Sequence, residues 1–319
     1  MRFTITHRIE NDLPLAVLLD KATGIEVSVI PSFGAILHSF TIQIPGGSFN
    51  IIDNYKSLQE LKNTLSTSHK SSKLSPFVCR IKEGKYRFDE KEFEFLRKFP
   101  DGSAIHGLIF DKAFEVTDEV ATETSASVTM QYHYKKADAG YPFHYDCQVR
   151  YELKKEGLLQ IETTVINTGG GSIPISDGWH PYFIMGGKTD EWELSFRAAR
   201  MVEFDDRLIP TGRIVPNTRF AKPEKIRDTF LDNCFLLDDL HAEPACTLQN
   251  PQNGWQLLFF PGKHYPYLQI YTPPHRKSIA IENLSGAPDC FNNGMGLTIL
   301  EPGRSQTFSV GYQILVSEM

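Results

Sequence analysis

No window of this 319-residue chain approaches the roughly 18 apolar residues that a membrane-spanning helix needs. The N-terminal stretch MRFTITHRIENDL holds no apolar core of signal-peptide length. Cysteine is scarce: Cys79, Cys147, Cys234, Cys246 and Cys290 make five, with no CxxC pair and no metal-type spacing. An odd, scattered set fits reduced thiols in the cytoplasm. An excess of basic residues is also missing. Lys and Arg total 33 against 39 Asp and Glu, a formal net charge of -6, which argues against a broad nucleic-acid or membrane-binding face. GxGxxG, Walker A, HExxH and GxSxG motifs do not occur. Internal repeats, low-complexity tracts and linker-like composition are lacking, so one domain over residues 1–319 is expected.

What is present is a succession of short alternating runs. Arg2–Ile9, Leu15–Leu19, Gly24–Ile30, Tyr86–Leu96, Phe114–Thr117, Ser125–Tyr134, Tyr145–Leu153 and Leu158–Asn167 read as strands. So do Glu191–Ala198, Trp255–Pro261, Tyr267–Tyr271, Ser278–Asn283 and Gln306–Ile314. Turn clusters recur about every ten residues, which favours an all-β sandwich or barrel over βαβ units. Ser57-Leu-Gln-Glu60 fits a capping box, with Leu58, Leu61 and Leu65 on one helix face. Thr218–Asp228 is polar and reads as loop.

Five polar residues stand in unusual settings. His180 lies between Trp179 and Pro181, and proline restricts the residue before it to extended backbone. His106 lies between Ile105 and Gly107, where the glycine permits close backbone approach. Glu282 ends the alternating run Ser278-Ile-Ala-Ile-Glu282, on the face of Ser278 and Ala280. Arg80 is one cation in the apolar stretch Leu74-Ser-Pro-Phe-Val-Cys-Arg80-Ile, and Asp232 is a polar island in Phe-Leu-Asp232-Asn-Cys-Phe. Each also has a plain structural reading: a carbonyl-bonded core histidine, a solvated strand end, a salt bridge, a turn cap. The loop Leu284–Gly294 is long and polar, as binding loops often are.

The order of these motifs resembles the aldose 1-epimerase, or galactose mutarotase, family from about Gly24 to the C-terminal strand. Ser32-Phe-Gly34-Ala-Ile-Leu37 resembles its early glycine-containing strand pair, and Pro76-Phe-Val-Cys-Arg80-Ile-Lys-Glu-Gly84 its arginine motif. Ile105-His106-Gly107 and His180-Pro-Tyr-Phe183 are similar to its two histidine motifs. Tyr141-Pro142-Phe143, Asn167, Glu282-Asn-Leu-Ser-Gly-Ala-Pro-Asp289 and Leu300-Glu-Pro-Gly303 complete the series. The resemblance implies a large antiparallel β supersandwich with very few helices and a sugar site in a cleft on one sheet. It implies Glu282 as the base at the anomeric hydroxyl and His180 as the acid at the ring oxygen. It implies His106 as an aid to binding and charge stabilisation, and Arg80 and Asp232 as ligands of sugar hydroxyls. Cys79 departs from the asparagine the family commonly places before the arginine, which removes a polar contact. The stretch Ser176-Asp-Gly-Trp179 looks like a divergent bacterial branch.

Exchange of anomers needs one proton taken from the C1 hydroxyl and one given to the ring oxygen, so no cofactor or metal is expected. Burial and a negative neighbour are expected to raise the pKa of His180. The expected partner is a small-molecule sugar, handled by a monomer or homodimer. A hexose-6-phosphate 1-epimerase is the enzymatic alternative, with Lys82, Lys85, Arg97, His275 and Arg276 as the available cations. A non-catalytic carbohydrate-binding protein is the other.

Overall fold

The computed structural model describes residues 1–238 and 244–316. The chain forms an all-β antiparallel supersandwich built on three large sheets. Phe3–Glu10, Leu13–Asp20, Ile25–Ile30, Ile36–Ile44 and Gly47–Asn50 form a five-stranded meander. A nine-stranded sheet runs from Glu115–Ala121 through Ser125–Lys135, His144–Lys154, Leu158–Asn167, Ser305–Leu315, Trp255–Pro261, Cys246–Asn250 and Glu193–Phe196 to Glu224–Lys225. His144–Lys154 and Leu158–Asn167 bury every second residue, because one face packs on the core and the other meets water.

The third sheet positions the site. Its order is Pro210–Pro216, Arg200–Phe204, Asp232–Leu236, Tyr267–Tyr271, Ile279–Leu284, Gly178–His180, Ser72–Leu74, with Tyr182–Phe183 also paired to Ile279–Leu284. Ile279–Leu284 is buried on both faces. Ile279 and Ile281 enter the main apolar core, which gathers residues from Phe3 to Ile314, while Ala280 and Glu282 take the opposite face.

The helix over Leu58–Ser68 is capped as its sequence predicts: Ser57 Oγ accepts from the Glu60 N–H, and Leu61 and Leu65 are buried. Cys290–Asn293 adds one further turn. No helix among the described residues is long and apolar enough to cross a membrane. Two readings change. Tyr86–Leu96 is a hairpin, Lys85–Phe88 with Lys91–Glu94, because Asp89 and Glu90 take positive φ between them. Within the expected loop Thr218–Asp228, Phe220 and Ile226 are buried, and Glu224–Lys225 pairs with Glu193 and Leu194.

Candidate active site

Register brings the acid–base candidates together. Gly178 lies opposite Leu284 and Tyr182 opposite Ala280, so His180 falls opposite Glu282 across the same strand pair. The His180 Nε2 stands 3.4 Å from Glu282 Oε1, and both side chains are buried. Glu282 in turn faces Gln269, and Asp232 faces Tyr271. Period-two alternation therefore puts His180, Tyr182, Glu282, Gln269, Tyr271 and Asp232 on one sheet face, where they line a cavity of about 180 Å³.

Arg80 and His106 enter from a second element. Arg80–Ile81 pairs with Ala104–Ile105 as a short ribbon, and the His106 N–H donates to the Cys79 carbonyl at 2.9 Å. Gly107 (φ 79°) passes so close to the neighbouring chain that a Cβ there would lie 2.3 Å from the Ser75 carbonyl oxygen. That contact fixes the ribbon against the sheet and carries His106 over the cavity. One donor atom from each of His106, His180 and Glu282 lies within 4.8 Å of the others. Two imidazoles and a carboxylate are also a ligand set for a transition metal. Arg80 Nε donates to Asp101 Oδ2 at 3.1 Å, and Gln269 Nε2 donates to Asp232 Oδ1 at 2.7 Å. All five residues singled out in the sequence line this one cavity.

Electrostatics run against one expectation. Burial pushes the His180 imidazole down to about 4 rather than up. The negative neighbour fails to act because Glu282 is itself buried. Desolvation, helped by the nearby Asp232 charge, lifts its carboxyl well above the usual range. Both shifts favour the uncharged forms of the pair. Asp232 is raised by burial too, opposed by Arg80 and Gln269.

Gln269 and His69 are among the lining residues that the sequence reading does not single out. Gln269 was legible in principle, as the single polar residue between Leu268 and Ile270. His69 carries no motif. It caps the helix Leu58–Ser68 in a left-handed conformation (φ 46°). Its ring lies 4.6 Å from His106, whose ring lies 4.9 Å from His180, and His180 stacks on Tyr182 at 4.9 Å. Burial drives His69 to about 3 and His106 well below its ordinary value, so the three-ring row is neutral. The loop after Leu284 acts mainly as a clamp: the Asp289 N–H donates to the Arg80 carbonyl, Asp289 Oδ1 accepts from the Lys82 N–H, and Pro288 reaches the cavity.

Residues 16–313 match the family described as aldose 1-epimerase. The chain belongs to the aldose 1-epimerase family. Among curated proteins, the uncharacterized protein YihR of Escherichia coli (strain K12) is 26% identical over 245 residues, covering 74% of this chain and 76% of YihR. Solved structures share the fold. A galactose mutarotase-like protein from Clostridium acetobutylicum superposes with a TM-score of 0.87 at 19% identity, covering 99% of both chains. Galactose 1-epimerase from Lactobacillus acidophilus gives 0.80 at 18% identity, covering 99% of this chain and 98% of that one. Aldose 1-epimerase family membership thus agrees with a sheet-face cavity holding two histidines and a glutamate.

Proposed function

We propose that this protein interconverts the α and β anomers of a free hexose, with Glu282 and His180 as the proton-transfer pair. The observation that carries the proposal is their 3.4 Å cross-strand approach inside a buried cavity. Glu282 takes the proton of the C1 hydroxyl while His180 Nε2 delivers one to the ring oxygen. The C1–O5 bond opens, the aldehyde turns about C1–C2, and the ring closes on its other face. Sugar hydroxyls donate to the Glu282 carboxylate and favour its charged form, which moves the shared proton to His180. His106 steadies charge at the ring oxygen, and Arg80, Asp232 and Gln269 bind the remaining hydroxyls. Tyr182 and Tyr271 offer ring faces for the sugar. Each placed acid or base contributes roughly 10²–10⁴-fold.

A phosphorylated hexose is the second reading, and one observation bears on it. Arg97 and Lys98 line an adjoining pocket of about 190 Å³ that shares Thr67, His69, Phe99 and Ile105 with the sugar cavity. Both cations are already paired, Arg97 with Asp111 at 2.7 Å and Lys98 with Glu94 at 2.5 Å. Arg276 is held by Asp190, and Lys85 faces Glu94. These pairings support the free sugar.

Polarimetry of freshly dissolved α-glucose, α-galactose and glucose 6-phosphate tests the proposal. Glu282→Gln is expected to lower the catalysed rate at least about 100-fold with an unchanged circular dichroism spectrum. In the parent protein the pH–rate profile should be a bell. Its acid limb lies near pH 4, where His180 takes a second proton onto the pair, and chelator should leave the rate unchanged. Equal rates for the parent and Glu282→Gln would sink the assignment.

A further inference from the structure

The outer face of the N-terminal five-stranded sheet is divided in two. Under the helix Leu58–Ser68 it is apolar, with Leu15, Val17 and Ile30 packed on Leu61 and Leu65. Beyond the helix the same face turns polar and sinks into a basin of about 370 Å³, roughly twice the catalytic cavity's 180 Å³. The two cavities share no lining residue.

The basin is built rather than incidental. Strand Ile25–Ile30 sends Val27 and Val29 into the core and Glu26 and Ser28 outward. Its partner Ile36–Ile44 is bulged at this point. Ser28 pairs with Ser39 and Val29 with Leu37, leaving His38 as the extra residue. A bulge re-aims a side chain, and here it sends His38 to the basin at 4% exposure. Ser28, fully buried, meets Ser39 Oγ at 2.5 Å. A sheet face that only met water would not need three polar side chains sunk to this depth, and valine serves under the helix.

We infer that this basin is a second saccharide site, taking a neutral polyhydroxy ligand of mono- to disaccharide size apart from the catalytic cavity. Charge balance selects neutrality: the lining sets Glu10 and Glu26 against Arg8 and Lys56, with Arg8 held by both oxygens of Glu26 at 2.9 and 2.7 Å and by Glu10 at 3.2 Å. Burial lowers His38 to about 4, so it adds no cation at neutral pH. The lining mixes donors and acceptors, which hydroxyls match because each both donates and accepts. The volume lies in the usual range for small-ligand pockets, about 300–1,000 Å³. The polar lining disfavours an apolar guest.

The test uses sugars that cannot react. Methyl β-glucoside, methyl β-galactoside and trehalose are titrated into the full chain by calorimetry and saturation-transfer NMR. Two classes of site are expected. Ser48→Trp, on the exposed lip, fills the basin and weakens one class at least tenfold while mutarotation proceeds at the parent rate. Glu26→Gln, which keeps the shape, weakens the same class, and Glu282→Gln spares it. A single class abolished by Glu282→Gln, no binding by any of the three sugars, or preferential binding of inorganic phosphate would each overturn the inference. None of these outcomes depends on whether Glu282 is the catalytic base.

Discussion

Cys79 stands where the family resemblance implies an asparagine, and its backbone explains what that substitution should do. It adopts φ 48°, a left-handed conformation that costs an ordinary L-residue roughly 1–2 kcal/mol but suits asparagine. Its thiol is buried and pushed well above its ordinary pKa, so it stays protonated and unreactive. Cys79→Asn is expected to raise stability by up to about 1 kcal/mol, some 2 °C in Tm, and to lower KM for galactose by adding a hydroxyl partner. A lower Tm in differential scanning calorimetry would mean that thiol packing against Leu74, Val78 and Cys234 outweighs backbone relief. The five site candidates were legible one by one, since each was a polar residue in an apolar or constrained run. The His180 pKa was not, because its direction depends on the desolvation of Glu282 as well as its own.

Elements were legible where their alternation was clear: Ile36–Ile44 and Pro210–Pro216 were not among the expected alternating runs, while the shorter Tyr267–Tyr271 was. Leu158–Asn167, Trp255–Pro261 and Tyr267–Tyr271 have the ends their alternation predicts. Strands of two or three residues, such as Ser72–Leu74 and Gly178–His180, are too short to show a period and exist through their partners. These two matter most to the site. Lys73 pairs with Trp179 in register. Lys73 Nζ donates to Asp177 Oδ1 at 2.6 Å, where the Tyr265 hydroxyl also donates, and both charged groups are fully buried. The Lys73 ammonium also lies 4.5 Å from the Trp179 ring. The unusual stretch before His180 is therefore half of a buried ion pair that locks its strand to the neighbouring one. Lys73→Met leaves Asp177 without its counterion and should cost about 3–5 kcal/mol. Adding Asp177→Asn to that variant should recover part of the loss, since the stranded charge is gone. Urea unfolding of the parent and the two variants measures this; a Lys73→Met variant within about 1 kcal/mol (roughly the cost of an ordinary substitution) of the parent contradicts it.

At the scale of the molecule, two polar cavities on separate sheets both sink histidines into the protein, and their protonation is linked to folding. His38 and His180 are lowered to about 4 and His69 to about 3, and His106 is lowered as well, each chiefly by desolvation. A histidine with a depressed folded pKa contributes stability that is present above its unfolded value, about 6.5, and is lost as pH falls toward the folded value. Glu282 is raised and acts oppositely, holding a proton in the fold that the unfolded chain has released. Four histidines set against one glutamate leave the histidines dominant, so stability falls as pH drops below about 6.5. The raised Asp177, Asp232 and Asp289 pull the same way as Glu282 and soften the fall. Tm should therefore fall steeply between pH 6.5 and 5, and a saccharide that fills the His38 basin should flatten the fall by stabilising its neutral ring. A Tm independent of pH across that window would mean that the histidines gain protons without leaving the fold, and so that the cavities are wetter than their burial implies.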